Sequence, residues 1–175
     1  WLKFINRRGV LAHYVCAPHE KVLMLRGGQG AIFGPLFSAA RVGSPPITEL
    51  SAAETSKLVE HGRGAMLAGE YWGAYAAVLH DTGRDVLSVV RDPTGACRLF
   101  TGPLGSTTAI FSHAEDYLAL ADDAAPDFEF ISAFVGHARL VTPQTAIEGV
   151  SELLPGEELC IGRASSTVNK TMVWT

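Results

Sequence analysis

The sequence predicts an α+β protein whose sheets are built from antiparallel strands. Strand-like runs fill the first third and the tail of the chain, and helical patterns lie mostly between them. Regular strand, helix, strand alternation is absent, which argues against a parallel sheet. At 175 residues the chain is long enough for one compact domain and short for two. We therefore interpret residues 1–175 as a single domain.

Four strands are predicted in the first third of the chain, because apolar runs alternate there with turn-forming residues. The predicted strands span residues 1–6, 11–17, 21–26 and 30–38. The glycine-rich segment 27–30 has a composition that could hold a phosphate. Because it lies between two strands and not before a helix, a hairpin turn is the better interpretation.

A helix is predicted from Ser51 to His61, with a shorter helical turn following it to Leu67. Ser51 is suited to cap the helix, and Glu54 follows three residues later, which is the spacing of a capping box. Apolar residues continue near helical spacing as far as Met66. The segment 41–48, rich in glycine, serine and proline, is predicted to be the loop before this helix.

The segment from Tyr71 to Asp92 predicts a β-hairpin with its turn at residues 81–84. Both alternating faces of its first strand carry apolar or small side chains. One face holds Trp72, Ala74, Ala76 and Val78, and the other holds Tyr75, Ala77 and Leu79. A strand with one face in water would alternate with polar residues. The hairpin is therefore expected to be covered on both sides.

The second half of the chain is predicted to mix strands and helices. Pro126 blocks helix continuation upstream of residue 128, and Ser112 is predicted to cap the preceding helix. The predicted elements are strands at 98–100, 107–113, 158–161 and 168–174, helices at 114–121 and 128–137, and a turn at 154–157.

Composition excludes several classes of function. The formal net charge is −4 and no run of Lys or Arg occurs, so a nucleic-acid partner is not expected. No signal peptide pattern and no uncharged apolar stretch of about 18 residues is present, which argues against secretion and membrane spanning. Hydrophobic residues make up 47% of the chain and charged residues 18%, which hints at apolar surface that meets a partner or a missing domain.

The three cysteines, Cys16, Cys97 and Cys160, are far apart in sequence and lack the paired spacing of a disulfide framework or a zinc site. We interpret each of them as a buried packing residue in a protein of the reducing cytoplasm. The six histidines show no ligand spacing, so a metal site is not expected.

Four motifs occur in an order that resembles class II glutamine amidotransferase domains, the type that precedes the synthetase domain in asparagine synthetases. They read YWGAYAAVLHD, VVRDPTGACRLF, IFSHAEDYLAL and TAIEGVSELLPGEEL, and they lie within residues 71–160, about half of the chain. The resemblance implies a four-layer αββα sandwich of antiparallel sheets, as in N-terminal nucleophile (Ntn) hydrolases. Among these proteins, the first two motifs look most like the homologues that act as lasso-peptide cyclases.

The second motif supplies the candidate site residues. Arg91, Asp92 and Gly95 match the family pattern of arginine, aspartate and a glycine three residues later. We expect Arg91 and Asp92 to brace the sheet as a charged, hydrogen-bonded pair where the hairpin ends. Because this segment lies near the glutaminase pocket in the family, the resemblance also makes these three residues the candidates for a vestigial pocket.

No catalytic residue is assigned, because the glutaminase machinery of the family is not recognisable. Active members use the thiol and the free amine of an N-terminal cysteine, whereas Trp1 stands first here. The family's substrate-binding and oxyanion loops have no counterpart in residues 10–50, and its glycine–aspartate element is missing before Ser51. Ser112, His113 and Asp116 are sequence neighbours and are not interpreted as a triad. We therefore expect a domain without glutaminase activity.

The resemblance implies an ATP-dependent parent enzyme with a C-terminal synthetase domain that uses ATP and magnesium. The SGGxDS signature of that domain is absent from the sequence, so the domain is expected beyond Thr175. The expected partners are that domain, a precursor peptide and a second copy in a homodimer. Two alternatives remain open at this point: an active glutaminase whose cysteine precedes Trp1, and a stand-alone peptide-binding module.

Overall fold

A computed structural model of the protein describes residues 2–7, 10–14, 22–41, 43–137, 142–162 and 168–174. The chain divides into two compact units. The first unit comprises Trp1–Cys97 and Pro155–Thr175, and the second comprises Arg98–Leu154. The expectation that residues 1–175 are a single domain stays a prediction.

The described residues form thirteen strands. In chain order these are β1 (Leu2–Arg7), β2 (Val10–Tyr14), β3 (Val22–Met24), β4 (Gly30–Phe33), β5 (Leu36–Ser38), β6 (Tyr71–Gly73), β7 (Ala76–Asp81), β8 (Val86–Arg91), β9 (Phe100–Leu104), β10 (Thr107–Phe111), β11 (Ser151–Glu152), β12 (Glu157–Gly162) and β13 (Val168–Met172).

Helices are fewer than strands within the same residues. They are α1 (Ala52–Ser56), α2 (Arg63–Glu70), α3 (Ala114–Leu118) and α4 (Phe128–Gly136), together with a π-helical segment (Lys57–Gly62) and a 3-10 turn (Arg26–Gly28). None of these helices is both long and apolar enough to span a membrane.

The centre of the first unit is a six-stranded sheet in the order β13-β12-β8-β7-β4-β3, with every neighbouring pair antiparallel. The pairs β1-β2 and β5-β6 form two smaller antiparallel sheets. The predicted α+β class with antiparallel sheets is therefore confirmed, and the pairing is consistent with the sheets of an αββα sandwich.

Both faces of the predicted hairpin are covered. On one face Leu79 and Val90 join a core cluster with Leu58 and Leu67 from the helical segments. On the opposite face Val89 is only 1% exposed. This burial explains why neither face of the hairpin carries the polar residues that a solvated sheet face would need. The prediction of cover on both sides is confirmed.

The predicted strand at 30–38 is interrupted, and glycines explain the interruption. Gly34 has φ +95°, and a Cβ there would lie 2.2 Å from the Ala74 carbonyl oxygen. Gly73 has φ +145°, and a Cβ there would lie 2.1 Å from the Pro35 carbonyl oxygen. Two backbone segments thus approach each other where neither has room for a side chain. The result is two separate strands, β4 and β5, on one side and β6 and β7 on the other.

The predicted capping box is confirmed. The Glu54 backbone N–H donates to Ser51 Oγ at 3.2 Å, and the Ser51 backbone N–H donates to Glu54 Oε2 at 2.8 Å. The helical region is longer than predicted, because α2 continues to Glu70. Arg63, at the junction with the π-helical segment, has φ +39°. A π-helical segment does not keep the periodicity of 3.6 residues. The apolar spacing of an α-helix is therefore not expected to continue through it.

The two predicted turns of the first unit are present. The backbone N–H of Leu25 donates to the Gly30 carbonyl at 2.9 Å, so the glycine-rich segment 27–30 closes the β3-β4 hairpin as predicted. The Pro155-Gly156 turn leads into β12, and Gly156 adopts φ +76°. Strands follow it as predicted, although β12 extends one residue beyond the predicted strand at both ends.

The second unit contains the sheet β10-β9-β11 with α3 and α4. Tyr117, Ala121 and Val150 form a buried cluster in this unit, and Leu99 and Leu153 are buried as well. Tyr117 stacks on Phe111 with ring centroids 4.6 Å apart, and its hydroxyl donates to the Pro103 carbonyl at 2.6 Å. This single aromatic side chain thus joins the helix α3 to both strands of the β9-β10 hairpin.

Two predictions for the second unit were wrong in detail. The strand predicted at 98–100 begins at Phe100 and runs to Leu104. Ser112 does not cap α3, because the N-cap is His113, which makes no side-chain capping hydrogen bond. The helix begins at Ala114, so Ser112 stands one residue too early for its hydroxyl to act as the N-cap acceptor.

Candidate functional site

The candidate residues Arg91, Asp92 and Gly95 come together in one buried turn at the end of β8. Arg91 Nη2 donates to the Gly95 carbonyl at 2.8 Å. Asp92 accepts hydrogen bonds from the Thr94 hydroxyl and, at 3.3 Å, from the Cys97 backbone N–H. Arg91 is 4% exposed and Asp92 is fully buried. The charged side chains are therefore used to hold the turn in shape.

This turn is tied to the Pro155-Gly156 turn of the same unit. The Asp92 carbonyl accepts from Gly95 N at 3.1 Å and from Gly156 N at 3.3 Å. Gly95 has φ +70°, and a Cβ there would lie 2.7 Å from Pro155 Cγ. Glycine is required because the backbone conformation is left-handed and the proline ring fills the space that a side chain would occupy. We name this pair of turns the double turn (residues 91–97 and 155–156).

Tyr75 lies beneath the double turn. Its carbonyl accepts from the Asp92 backbone N–H at 3.0 Å, and its side chain is fully buried. Among the described residues, its hydroxyl has no hydrogen-bond partner. Burial, and secondly the negative charge of Asp92, raise the pKa of the Tyr75 hydroxyl well above its ordinary value. The hydroxyl therefore stays protonated at physiological pH.

The assignment of these residues to a vestigial pocket stays a prediction, as does the direct charged pair between Arg91 and Asp92. The hydrogen bonds given above run to backbone groups and to Thr94. What the arrangement can do chemically is limited by its burial. A guanidinium and a carboxylate that are held below the surface can position a turn, but they cannot reach a substrate without movement of that turn.

A cavity of about 310 Å³ lies elsewhere in the first unit, at the tip of the β7-β8 hairpin. It is lined by Gln29, Glu60, His61, Asp81, Thr82, Gly83 and Arg84. These residues come from the β3-β4 turn, the π-helical segment and the hairpin turn. The hairpin is anchored to the β3-β4 turn because His80 N donates to the Gln29 carbonyl at 2.7 Å.

Asp81 organises the hairpin side of this cavity. Its Oδ1 accepts from the backbone N–H groups of Gly83 and Arg84, each at 3.0 Å. Its Oδ2 is buried, 3.6 Å from Arg84 Nη1, and that guanidinium also donates to the Glu60 carbonyl. Arg84 therefore covers the carboxylate. The cavity is a polar recess in which the carboxylate of Asp81 is already enclosed by the hairpin turn.

Sequence reasoning did not find this cavity. The part of the cavity that lies within one segment of the sequence is the turn Asp81-Thr82-Gly83-Arg84. That turn is explained equally well as a hairpin loop. Its other walls come from residues about 20 and 50 positions earlier in the chain, and no local pattern joins them.

Apart from the double turn and the cavity, a further cluster of polar side chains lies around Cys160. Its Sγ lies 3.5 Å from Ser88 Oγ, and the buried Glu158 is close by on the same strand. Burial is the main cause that raises the pKa of the Cys160 thiol; Glu158 adds to the rise, and Ser88 and Arg63 oppose it. A nucleophilic cysteine needs a lowered pKa. Cys160 is instead protonated, which fits its interpretation as a packing residue.

The other cysteine predictions have different outcomes. Cys97 is partly buried, and its backbone N–H contributes to the double turn. Cys16 and Trp1 lie outside the described residues. Among the described residues, no three His, Cys, Asp or Glu side chains are grouped so that they could hold a metal ion.

Comparison with known proteins gives a distant structural likeness. No family model matches the sequence, and no curated protein matches it. Among solved structures, the chain is similar to an allosteric regulatory enzyme of purine biosynthesis, with 16% sequence identity and a TM-score of 0.43. The match covers 87% of this chain and 30% of that enzyme's chain, so the chain spans less than a third of its length. Similarity this distant assigns no family, and the proposals below rest on the chain's own residues.

Proposed function

We propose that this chain is a glutaminase-like domain of an asparagine synthetase-related, ATP-dependent amide-forming enzyme, and that it has no glutaminase activity of its own. The observation that carries the proposal is the double turn. Two of the four motifs that resemble class II glutamine amidotransferases, RDPTG and LPG, are about 60 residues apart in sequence and meet there through the Asp92 carbonyl. Chance matches to short motifs would have no reason to meet in one hydrogen-bonded assembly.

The lack of glutaminase activity is supported by the state of the groups nearest to those motifs. Arg91 and Asp92 are buried and engaged in the turn, and the Tyr75 hydroxyl is neutral. The pKa of the Cys160 thiol is raised, so this side chain is a poor nucleophile. Within the described residues, the chain therefore offers the scaffold of such a domain rather than its reactive centre. Its role would be structural or recognitional.

For the parent enzyme we propose the chemistry of the lasso-peptide cyclases that the first two motifs resemble. A synthetase domain, using ATP and magnesium, would activate a side-chain carboxylate of a precursor peptide: the carboxylate would attack the α-phosphorus of ATP, forming an acyl-adenylate and releasing pyrophosphate. The amino terminus of that peptide would then attack the activated carbonyl, forming the macrolactam and releasing AMP. In this proposal the domain described here contacts the synthetase domain, the precursor peptide is the substrate, and a homodimer and a cytoplasmic setting are further expectations.

The decisive experiment follows glutamate release from glutamine, with and without ATP. The gene product is expressed from its native start, and its N-terminus is identified by mass spectrometry. We expect no glutamate above the uncatalysed background in either condition. Glutamate release that survives Cys160→Ser but is abolished by alanine at an N-terminal cysteine would establish an active glutaminase and overturn the proposal.

A second measurement tests the parent chemistry. Pyrophosphate release by the full-length protein should require ATP, magnesium and a precursor peptide with a free amino terminus. A gene product that lacks any ATP-using domain would contradict the assignment to a synthetase and favour a stand-alone binding module.

A further inference from the structure

The helix α4 exposes most of its apolar side chains. Its sequence, FEFISAFVG, contains a single charged residue, and none of its side chains is buried. Phe128 is 71% exposed, Phe134 47% and Val135 78%. Phe128 and Val135 are seven positions apart and therefore lie on the same side of the helix. Phe130 stacks on Phe134 with ring centroids 5.8 Å apart, so these two rings form a stacked pair on the helix.

Acidic residues outnumber basic residues in the sequence around this helix. Between Arg98 and Arg139 the sequence has no Lys or Arg, and its acidic residues are Glu115, Asp116, Asp122, Asp123, Asp127 and Glu129. Four of these six are exposed: Glu115, Asp122, Asp123 and Glu129. The second unit as a whole contains eight acidic and two basic residues, a formal charge of −6, whereas the rest of the chain has ten acidic and twelve basic residues.

We propose that α4 and the acidic residues before it form a docking surface for a basic, amphipathic segment of another polypeptide. We name it the α4 surface (Phe128, Phe134, Val135, Asp122, Asp123 and Glu129). The proposal does not rest on the proposed function. Apolar side chains with this exposure on a helix that packs none of them mark a site of interaction rather than a core. The surrounding carboxylates select a partner with Lys or Arg beside its apolar anchors.

The charge of the α4 surface decides between the classes of partner. A second copy would bring two acidic surfaces together, and like charges directly opposed at an interface are unfavourable. A membrane leaflet with anionic lipids and a nucleic acid backbone would be repelled for the same reason. A basic amphipathic polypeptide satisfies both the apolar and the charged part of the surface. Such a polypeptide would be held by a few apolar anchors on one face of an amphipathic helix.

The test measures peptide binding to the 175-residue chain by fluorescence anisotropy. The probes are a labelled helical peptide of alternating Leu and Lys blocks, and the same peptide with every Lys replaced by Glu. The Lys peptide should bind, with an affinity that falls as salt is raised, because charges screen each other over about 10 Å at 0.1 M salt. The Glu peptide should not bind.

Two variants locate the binding on the α4 surface. Phe128→Ser with Val135→Ser should weaken binding about tenfold or more, because the apolar area that anchors the peptide is lost. Asp122→Asn with Asp123→Asn should weaken it a few-fold and reduce its salt dependence. Matched controls in the first unit are Val168→Ser, at an exposed apolar position, and Glu49→Gln, at an exposed acidic one. These controls should leave the affinity unchanged.

Four outcomes would overturn the proposal. The Lys peptide fails to bind, or it binds the Phe128→Ser, Val135→Ser variant as tightly as the unaltered chain. Sedimentation shows a homodimer that dissociates on Phe128→Ser, which would assign the surface to a second copy. Co-sedimentation with vesicles of anionic lipid, abolished by the same substitution, would assign it to a membrane. Because all substituted residues are exposed, circular dichroism of each variant should match that of the unaltered chain.

Discussion

The two units place their apolar side chains in opposite ways. Among the described residues of the first unit, fourteen buried residues form one cluster between the large sheet and the helical segments. In the described part of the second unit, the cluster has three buried residues, and Leu99 and Leu153 are buried as well. Five of its large apolar side chains are at least 47% exposed, whereas the described part of the larger first unit has two, Trp72 and Trp174; the five are Leu118, Leu120, Phe128, Phe134 and Val135. Burial of apolar area is the main source of stability. The comparison thus indicates that the first unit supplies stability and the second supplies surface.

The comparison is tested most strongly by truncating one apolar side chain in each unit. Leu58 is fully buried in the first unit. The substitution Leu58→Ala should lower the free energy of unfolding by about 2 to 5 kcal/mol, because it leaves a cavity. Val135→Ala in the second unit should change it by less than about 0.5 kcal/mol. Urea denaturation followed by circular dichroism measures both. Similar losses in the two variants would contradict the division between a stabilising unit and an exposed one.

The double turn gives the next largest effect. Gly95→Ala should destabilise the protein by about 2 to 4 kcal/mol, from a left-handed backbone together with the clash against Pro155. Gly105 is the matched control in the second unit, with φ +58° and open space around its Cβ position. Gly105→Ala should therefore cost only the backbone term, about 1 kcal/mol. Equal losses in thermal unfolding would mean that the contact with Pro155 contributes nothing.

The helix caps provide a finer comparison. Ser51→Ala should reduce the global unfolding free energy by about 1 kcal/mol, because α1 leads directly into the buried Leu58. Asp127, whose carboxylate accepts from Phe130 N at 2.9 Å, caps α4 in the second unit. Because α4 buries no side chain, Asp127→Ala should instead accelerate amide exchange within α4 and leave global unfolding nearly unchanged. Ser132→Ala, at a non-capping position of α4, is the control for exchange.

Tyr75 gives the smallest effect and the one that depends on pH. Tyr75→Phe should raise stability at neutral pH by about 0.5 to 1 kcal/mol, because it removes a buried hydroxyl without a hydrogen-bond partner among the described residues. The raised pKa means that the folded protein holds this proton more tightly than the unfolded chain does. The stability that comes from this tighter proton binding is complete below the ordinary pKa of 10.0 and is lost as pH rises above it.

The corresponding measurement compares urea unfolding at pH 8 and pH 10.5. The unaltered protein should lose more stability between these pH values than the Tyr75→Phe variant. Tyr71→Phe is a suitable comparison, since burial also raises the pKa of Tyr71. Identical pH dependence in the Tyr75→Phe variant and the unaltered protein would show that Tyr75 ionises normally.

Local signals predicted most of the first unit. The capping box at Ser51 and Glu54 needs only neighbouring residues, and the two-sided apolar pattern of β7 and β8 predicted burial on both faces. The breaks at Gly34 and Gly73 were missed, because each glycine is explained by a backbone segment about 40 residues away in sequence. The secondary-structure propensity of a segment does not indicate which other segment it will approach.

The second unit and the cavity were predicted less well for a related reason. A largely apolar helix such as α4 is expected to be buried, and its exposure depends on how much surface the rest of the unit can offer. The candidate residues Arg91, Asp92 and Gly95 were found because they form one short motif. Their partner, the Gly156 backbone, and the walls of the cavity at Asp81 come from distant parts of the chain, so no window along the sequence contains them.

The position of β12 also affects how the protein can be synthesised. β12 lies between β13 and β8 in the large sheet, yet the entire second unit is translated between β8 and β12. While the ribosome makes those residues, the edge of β8 that later pairs with Glu158–Gly162 has no strand beside it. Pairing over such a sequence separation is slow, and an unpaired edge is prone to aggregate. A nascent chain that stops before β12 therefore exposes Val86–Arg91, and such truncated products are expected to be substrates for chaperones.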